Sequence, residues 1–161
     1  DRPVAMLFQD NNLFPHLSVL QNVLLAISHK RRPLADDVQR AEDALSRVGL
    51  AGYGDRKPGT LSGGQQSRVA LARVLLQDKP LVLLDEPFSA LGPGQRAEMM
   101  TLCREILGGA GRTVVFVTHD PDDAARADQI AVVAGGRVAP PVAATALLAD
   151  PPETIRRYLG K

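Results

Sequence analysis

The 161-residue chain holds one cysteine, no tryptophan, two tyrosines and four phenylalanines. With Cys103 alone, no disulfide can form within the chain, and no paired Cys and His stand at zinc-finger spacing. A reducing cytoplasm suits such a composition. So few aromatics argue against a stacking platform for nucleic-acid bases. Charge of one sign is also missing: 19 Lys and Arg against 18 Asp and Glu leave +1. That removes the electrostatic case for a nucleic-acid or anionic-membrane surface, so no nucleic-acid partner is expected. No apolar run reaches the roughly 18–20 residues that span a bilayer, because Arg68 and Arg73 break the longest candidate. Residue 1 is Asp, and the chain opens on strand-like Pro3-Val4-Ala5-Met6-Leu7-Phe8 where a signal peptide would be basic. The start of a longer protein is expected to be missing.

What is present is enough for a core, since 45% of the residues are apolar and 23% charged. Four apolar runs without helical period predict strands at Val4 to Phe8, Leu81 to Leu84, Thr113 to Thr118 and Ile130 to Ala134, all expected to be buried on both faces. Amphipathic stretches between them predict helices at Ser18 to His29, Ala35 to Val48, Ser62 to Gln77, Gly94 to Leu107 and Pro121 to Ala127, with two short helices after Thr145. Alternation of this kind predicts an α/β fold with a parallel sheet. Ser18 with Gln21 and Ser62 with Gln65 make two Ser-x-x-Gln capping boxes, Gly49 follows a helical stripe, and Pro121 suits a first turn. Between Asp10 and Lys79 there are three helices and no strand, which predicts a helical insertion on a sheet.

Ligands of parallel sheets collect at the carboxyl ends of strands. Gln9 follows the first strand, Asp85-Glu86-Pro87 the second, and His119-Asp120-Pro121 the third. Singly, each has an ordinary reading: Gln9 could open a loop, the carboxylates could cap a helix, and His119 could be a core histidine. Their common position points to a site. Neighbouring strand residues face opposite ways, so Asp85 and Glu86 can converge only if the chain breaks, as Pro87 ensures. One carboxylate could then support magnesium while the next reaches a nucleophilic water. Gln9 could offer a neutral oxygen to that metal or water, and His119 could donate to a terminal phosphate oxygen.

Leu61-Ser62-Gly63-Gly64-Gln65 precedes an apolar helical stripe. A hydroxyl, two amides without side chains and the positive end of a helix suit an anion such as phosphate. Ser-Gly-Gly by itself would be an ordinary cap, but the five-residue run upstream of Leu-Leu-Asp-Glu-Pro is far more specific.

With these motifs in this order, the chain resembles the ATP-binding subunits of ABC transporters over essentially its whole length. Leu61 to Gln65 resembles the family signature, Leu81 to Glu86 the Walker B strand with its catalytic glutamate, Gln9 the Q-loop, Ser89-Ala90-Leu91 the D-loop, and His119 the switch histidine. The resemblance implies a partial P-loop NTPase with ATP and Mg2+ as ligands. In it Asp85 and Gln9 serve the metal; Glu86, His119 and Gln9 are catalytic. Ser62, Gly63, Gly64 and Gln65 bind the nucleotide held by the second ATPase subunit of a head-to-tail dimer. It implies a domain over 1–161 lacking its N-terminal part, with 10–79 as Q-loop and helical subdomain and 80–161 as the remainder of the catalytic core. Transmembrane permease subunits, an indirect periplasmic solute-binding protein and a peripheral place on the cytoplasmic face of a bacterial inner membrane follow.

Two departures stand out. The family's phosphate loop, Gly-x-x-x-x-Gly-Lys-Ser/Thr, is not found: none of Lys30, Lys57, Lys79 and Lys161 precedes Ser or Thr. In the family that loop lies ahead of the Q-loop strand, so the missing start is expected to carry it and the chain alone to be inactive. Gly92 stands where the D-loop usually has Asp. Met6 to Phe14 resembles the ATPases of thiamine importers, and the short stretch after Asp128 leads to the expectation of the compact type without a regulatory β-domain. Iron, polyamine and sulfate importers, and a non-enzymatic remnant, remain as alternatives. His29-Lys30-Arg31-Arg32 reads as a helix end, Cys103 as core and Arg156-Arg157 as a solvated face.

Overall fold

The computed structural model describes residues 3–28, 32–108, 111–152 and 155–156. They form two compact units, Asp1–Val117 and Thr118–Lys161. The first contains β1 (Val4–Leu7), α1 (Val19–Leu24), α2 (Ala35–Arg47), a 3-10 turn (Pro58–Thr60), α3 (Gly63–Gln77), β2 (Leu81–Asp85), α4 (Pro93–Leu107) and β3 (Thr113–Val117). The three strands are parallel in the order β1-β2-β3, with Leu7 beside Leu84 and Asp85 beside Val117.

Local chemistry sets the helix ends. Both capping boxes form: Ser18 Oγ accepts from the Gln21 amide at 3.2 Å and Ser62 Oγ from the Gln65 amide at 3.3 Å, while each glutamine Oε1 accepts from its serine's amide. Asp36 and Asp37 in the first turn of α2 and Arg47 in its last complement the helix dipole. Past its end Gly49 takes φ +75, where a side chain would be strained. Helix α3 closes on Asp78 in the left-handed region, where the Asp78 carboxylate pairs with Arg112.

The core holds Ala5, Leu7, Val82 and Leu84 from one face of the sheet, together with Val69, Ala70, Leu71 and Val74 of α3 and Met99, Cys103, Ile106 and Leu107 of α4. The opposite face differs from expectation. Met6, Val115 and Val117 stand 44%, 43% and 51% exposed, and Phe8 just past β1 42%. Strands apolar on both faces need a layer on each, and the helices of this unit bury only one.

The second unit holds α5 (Pro121–Ala124), β4 (Gln129–Ile130), β5 (Val133–Ala134), β6 (Arg137–Val138), β7 (Val142–Ala143) and α6 (Ala144–Ala149). The strand expected from Ile130 to Ala134 is therefore two. Gln129–Ile130 pairs antiparallel with Val142–Ala143, and Val133–Ala134 with Arg137–Val138. Gly135 and Gly136, both at positive φ, close the β5–β6 hairpin, the conformation a two-residue hairpin turn demands. That local turn prevailed over the apolar run. Helix α1 stops at Leu24 because Ala26 and Ile27 bond back three residues, tightening the chain out of the α-helix. Helix α5 ends at Ala124 for the same reason, with Arg126 and Ala127 bonded to Asp123 and Ala124. Of the two short helices after Thr145, the first is α6, and the second falls largely outside the described residues, as do His29, Lys30, Arg31 and Arg157.

Candidate functional site

Residues past paired parallel strands share an edge. Gln9 lies two residues beyond Leu7 and Glu86 two beyond Leu84, and those leucines are partners in register. Gln9 and Asp85-Glu86 thus arrive at the same end of adjacent strands.

The loop after β1 is closely held. The Asn11 amide donates to Phe8 O at 3.0 Å and that of Asn12 to Asp10 O at 2.6 Å, with φ +56 and +46 at the two asparagines. Farther on, wholly buried Asn22 anchors the segment 14–18: its Nδ2 donates to Phe14 O at 3.1 Å and Ser18 O at 2.9 Å, and its Oδ1 accepts from the Phe14 amide at 2.8 Å. A buried amide with its bonds made fixes a loop firmly.

After β2 the chain does break as the sequence implies, and by a sharper device than Pro87 alone. Glu86 takes φ +42, a conformation that costs a side-chain-bearing residue roughly 1–2 kcal/mol. Its amide donates to Val117 O at 3.0 Å, and its carbonyl accepts from the Ser89 amide at 3.2 Å and from Ser89 Oγ at 3.0 Å. Phe88, 1% exposed, anchors the turn beside Phe116, their ring centroids 6.0 Å apart. Arg96 Nη2 donates to Ser89 O at 3.3 Å, so α4 steadies the Ser89-Ala90-Leu91 segment. Asp85 is exposed and Glu86 half-buried. Backbone strain of this kind persists where surroundings over-determine it, often at functional positions.

His119 belongs to the second unit and is exposed. Thr118 Oγ1 donates to Asp123 Oδ2 at 2.9 Å and accepts from the Asp120 amide at 2.9 Å, while Asp120 Oδ1 caps α5 through the Asp122 amide. The turn carrying His119 is held from both sides.

At the start of α3, Ser62 Oγ accepts the Gln65 amide and keeps its O–H free to donate. No atom comes within 4 Å of where a Gly64 Cβ would stand, and one at Gly63 would meet Leu91 Cδ2 at 3.6 Å. A hollow of about 100 Å³ opens there between α3 and α4, with Ser62, Gly64, Gln65 and Arg68 among its walls. Arg68 is fixed by Val48 O at 2.7 Å and by the Glu98 carboxylate. The free hydroxyl, the bare glycine and the N-terminus of a 15-residue helix suit phosphate oxygens. Among the described residues no cluster of three or more His, Cys, Asp or Glu could hold a metal. Asp85 and Gln9, at the same end of adjacent strands, offer the donor types, one carboxylate and one neutral oxygen, that a magnesium ion completed by phosphate and water would use.

Arg73, which in the sequence only interrupts an apolar run, has a structural role that the run does not show. Its guanidinium, from the middle of α3, donates to Asn12 O at 2.8 Å and Asn11 O at 2.9 Å, and burial lowers its pKa. A charged residue inside Val69-Ala70-Leu71-Ala72-Arg73-Val74 was the available signal, since charges are seldom buried without partners. Two consecutive asparagines, tolerant of the left-handed region, were another.

Residues 1–89 match the family described as ABC transporter. Over 160 residues the chain is 56% identical to the thiamine import ATP-binding protein ThiQ of Ruegeria sp. (strain TM1040), an alignment covering 99% of this chain and 69% of that protein. The chain belongs to the ABC transporter family. A relative of the same name from Cereibacter sphaeroides is 55% identical over 161 residues, 99% of this chain and 70% of its own. Among solved structures, CbiO1 from Clostridium perfringens, part of the ABC transporter complex CbiONQ, superposes with TM-score 0.81 at 33% identity, covering 96% of this chain and 62% of CbiO1. A dimeric bacterial ABC transporter cassette gives TM-score 0.73 at 35% identity over 86% of this chain and 62% of its own. The same cassette is known in a post-hydrolysis state bound to ADP and Pi, with TM-score 0.74. This ABC chain spans less than two-thirds of those solved chains, and its parallel sheet with helices is the α/β cassette fold they share.

Proposed function

We propose that the chain is part of the ATP-hydrolysing subunit of an ABC importer, with 10–79 as its Q-loop and helical subdomain and 80–161 as catalytic core, and that the complete subunit drives thiamine uptake. The observation that carries the hydrolytic reading is the register that brings Gln9 and Asp85-Glu86 to one edge of the sheet in a member of this family. The solute rests on the name shared by the Ruegeria and Cereibacter relatives.

Magnesium bound with ATP supplies positive charge to the phosphate oxygens during transfer. Asp85 and the Gln9 amide oxygen would hold that ion. Glu86, turned off the strand by its left-handed backbone, orients a water and accepts its proton. His119 donates to a terminal phosphate oxygen. Ser62 O–H and the amides of Gly63 and Gly64 bind the phosphates of a nucleotide on a second copy arranged head to tail, while Gln65 keeps Ser62 in place through the capping box. Permease subunits in a bacterial inner membrane, contacted from the cytoplasmic face, transmit the dimer's closure, and a periplasmic binding protein delivers the solute.

The test uses the full-length subunit with its permease in vesicles. Thiamine-loaded binding protein should stimulate ATP hydrolysis, and Glu86→Gln should keep ATP binding while abolishing turnover, because the amide retains the shape but cannot accept a proton. Stimulation by another solute and not by thiamine would reject the solute; unchanged turnover in Glu86→Gln would reject the role of Glu86.

A further inference from the structure

Two consecutive residues with side chains, Asn11 and Asn12, hold positive φ in the loop that begins at Gln9. Asparagine tolerates that region better than most residues, yet each still prefers another conformation. Something outside the loop must therefore hold it. Among the described residues, the partners that the two asparagines find outside the loop all come from α3. Arg73 donates to the carbonyls of both asparagines, Asn11 Nδ2 lies 3.4 Å from Ser67 Oγ, and Ser67 Oγ donates to Gly63 O at 3.1 Å. That second chain of bonds ends inside the Leu61 to Gln65 motif. Arg73 has no carboxylate partner among the described residues, so its charge is compensated by the two loop carbonyls. A planar guanidinium presents parallel N–H groups that can serve two carbonyls at once, which an ammonium does only with poorer geometry.

We propose that Arg73 is a positioning residue: by clamping the left-handed Asn11-Asn12 turn to α3, it sets the place of Gln9 and links that place to the helix that carries Ser62. A shift of α3 would then be felt two residues from Gln9 without any contact between Gln9 and the signature. The link to catalysis rests on the metal-binding role proposed above for Gln9.

The experiment compares Arg73→Lys and Arg73→Met in the full-length subunit, each in the native background and in one carrying Asn11→Gly with Asn12→Gly. Glycine adopts positive φ without steric cost, so the clamp matters less there. Hydrogen exchange of residues 9–12 should quicken about tenfold on loss of the arginine in the native background and less than about threefold in the glycine background. In the native background the magnesium concentration for half-maximal hydrolysis should rise about tenfold, with kcat changed less. Equal effects in both backgrounds, or exchange in 9–12 that does not change, would overturn the proposal. So would quickening that runs equally through α3, which would mark a general loss of folding. Should Arg73→Met fail to fold, Arg73→Lys keeps the charge and carries the comparison. A full-length wild-type subunit without ATPase activity would sink the functional reading, and the exchange comparison would still decide whether Arg73 holds the turn.

Discussion

Glu86 combines a costly backbone with the side chain proposed above to activate water. At φ +42, glycine would be free of the steric penalty, so Glu86→Gly is expected to stabilise the full-length subunit by about 1 kcal/mol while removing hydrolysis. Urea denaturation beside phosphate release checks both halves; destabilisation would mean that the glutamate side chain contributes more to folding than its backbone costs. Cys103 makes a quieter case. Burial raises its thiol from an ordinary 9.0 to about 12. The unfolded chain therefore loses that proton at lower pH than the folded one. Its contribution is fully present below about pH 9 and disappears as pH rises toward 12. Stability should fall by up to roughly 1 kcal/mol per pH unit across that window, and comparison with Cys103→Val, which cannot titrate, isolates the effect. Parallel pH profiles for the two proteins would refute it.

Among the elements, α4 tests the departure at Gly92. This residue is the helix N-cap, with φ −64 and ψ 159, no side-chain cap bond and open space around a built Cβ. Nothing in that geometry calls for glycine. Gly92→Asp should offer a carboxylate to the first-turn amides and raise stability by about 0.5 kcal/mol, or roughly 1–2 °C in Tm. A fall in Tm would show that glycine serves a contact a carboxylate disrupts. The elements also show where sequence reading succeeds. Helix starts at Ser18 and Ser62 were legible because a capping box is written within four residues. β1, β2 and β3 were legible because their apolar runs end at polar residues. Ile130 to Ala134 misled because pattern alone cannot rank a central strand above a local hairpin, and Gly135-Gly136 settled it. The clamp from Arg73 to Asn11 and Asn12 spans more than sixty residues of chain, a distance over which no local pattern speaks.

At the scale of the molecule, the sheet of the first unit has helices on one face, while Met6, Val115 and Val117 remain exposed on the other. β3 also stands at the sheet's edge, paired only with β2 among the described residues. Thr113-Val114-Val115-Phe116-Val117 carries no charge and no proline, and natural edge strands rarely go without one or the other. Handled by itself, the chain is thus expected to self-associate through this strand as its concentration rises, in a manner unrelated to nucleotide. Val115→Lys places a charge on the open face and should suppress that association, seen as a flat light-scattering signal over a concentration series where the parent rises. Equal scattering from both would put the sticky surface elsewhere. The consequence is colloidal: a valine-rich strand without a gatekeeper is expected to set how much of this protein can be kept in solution.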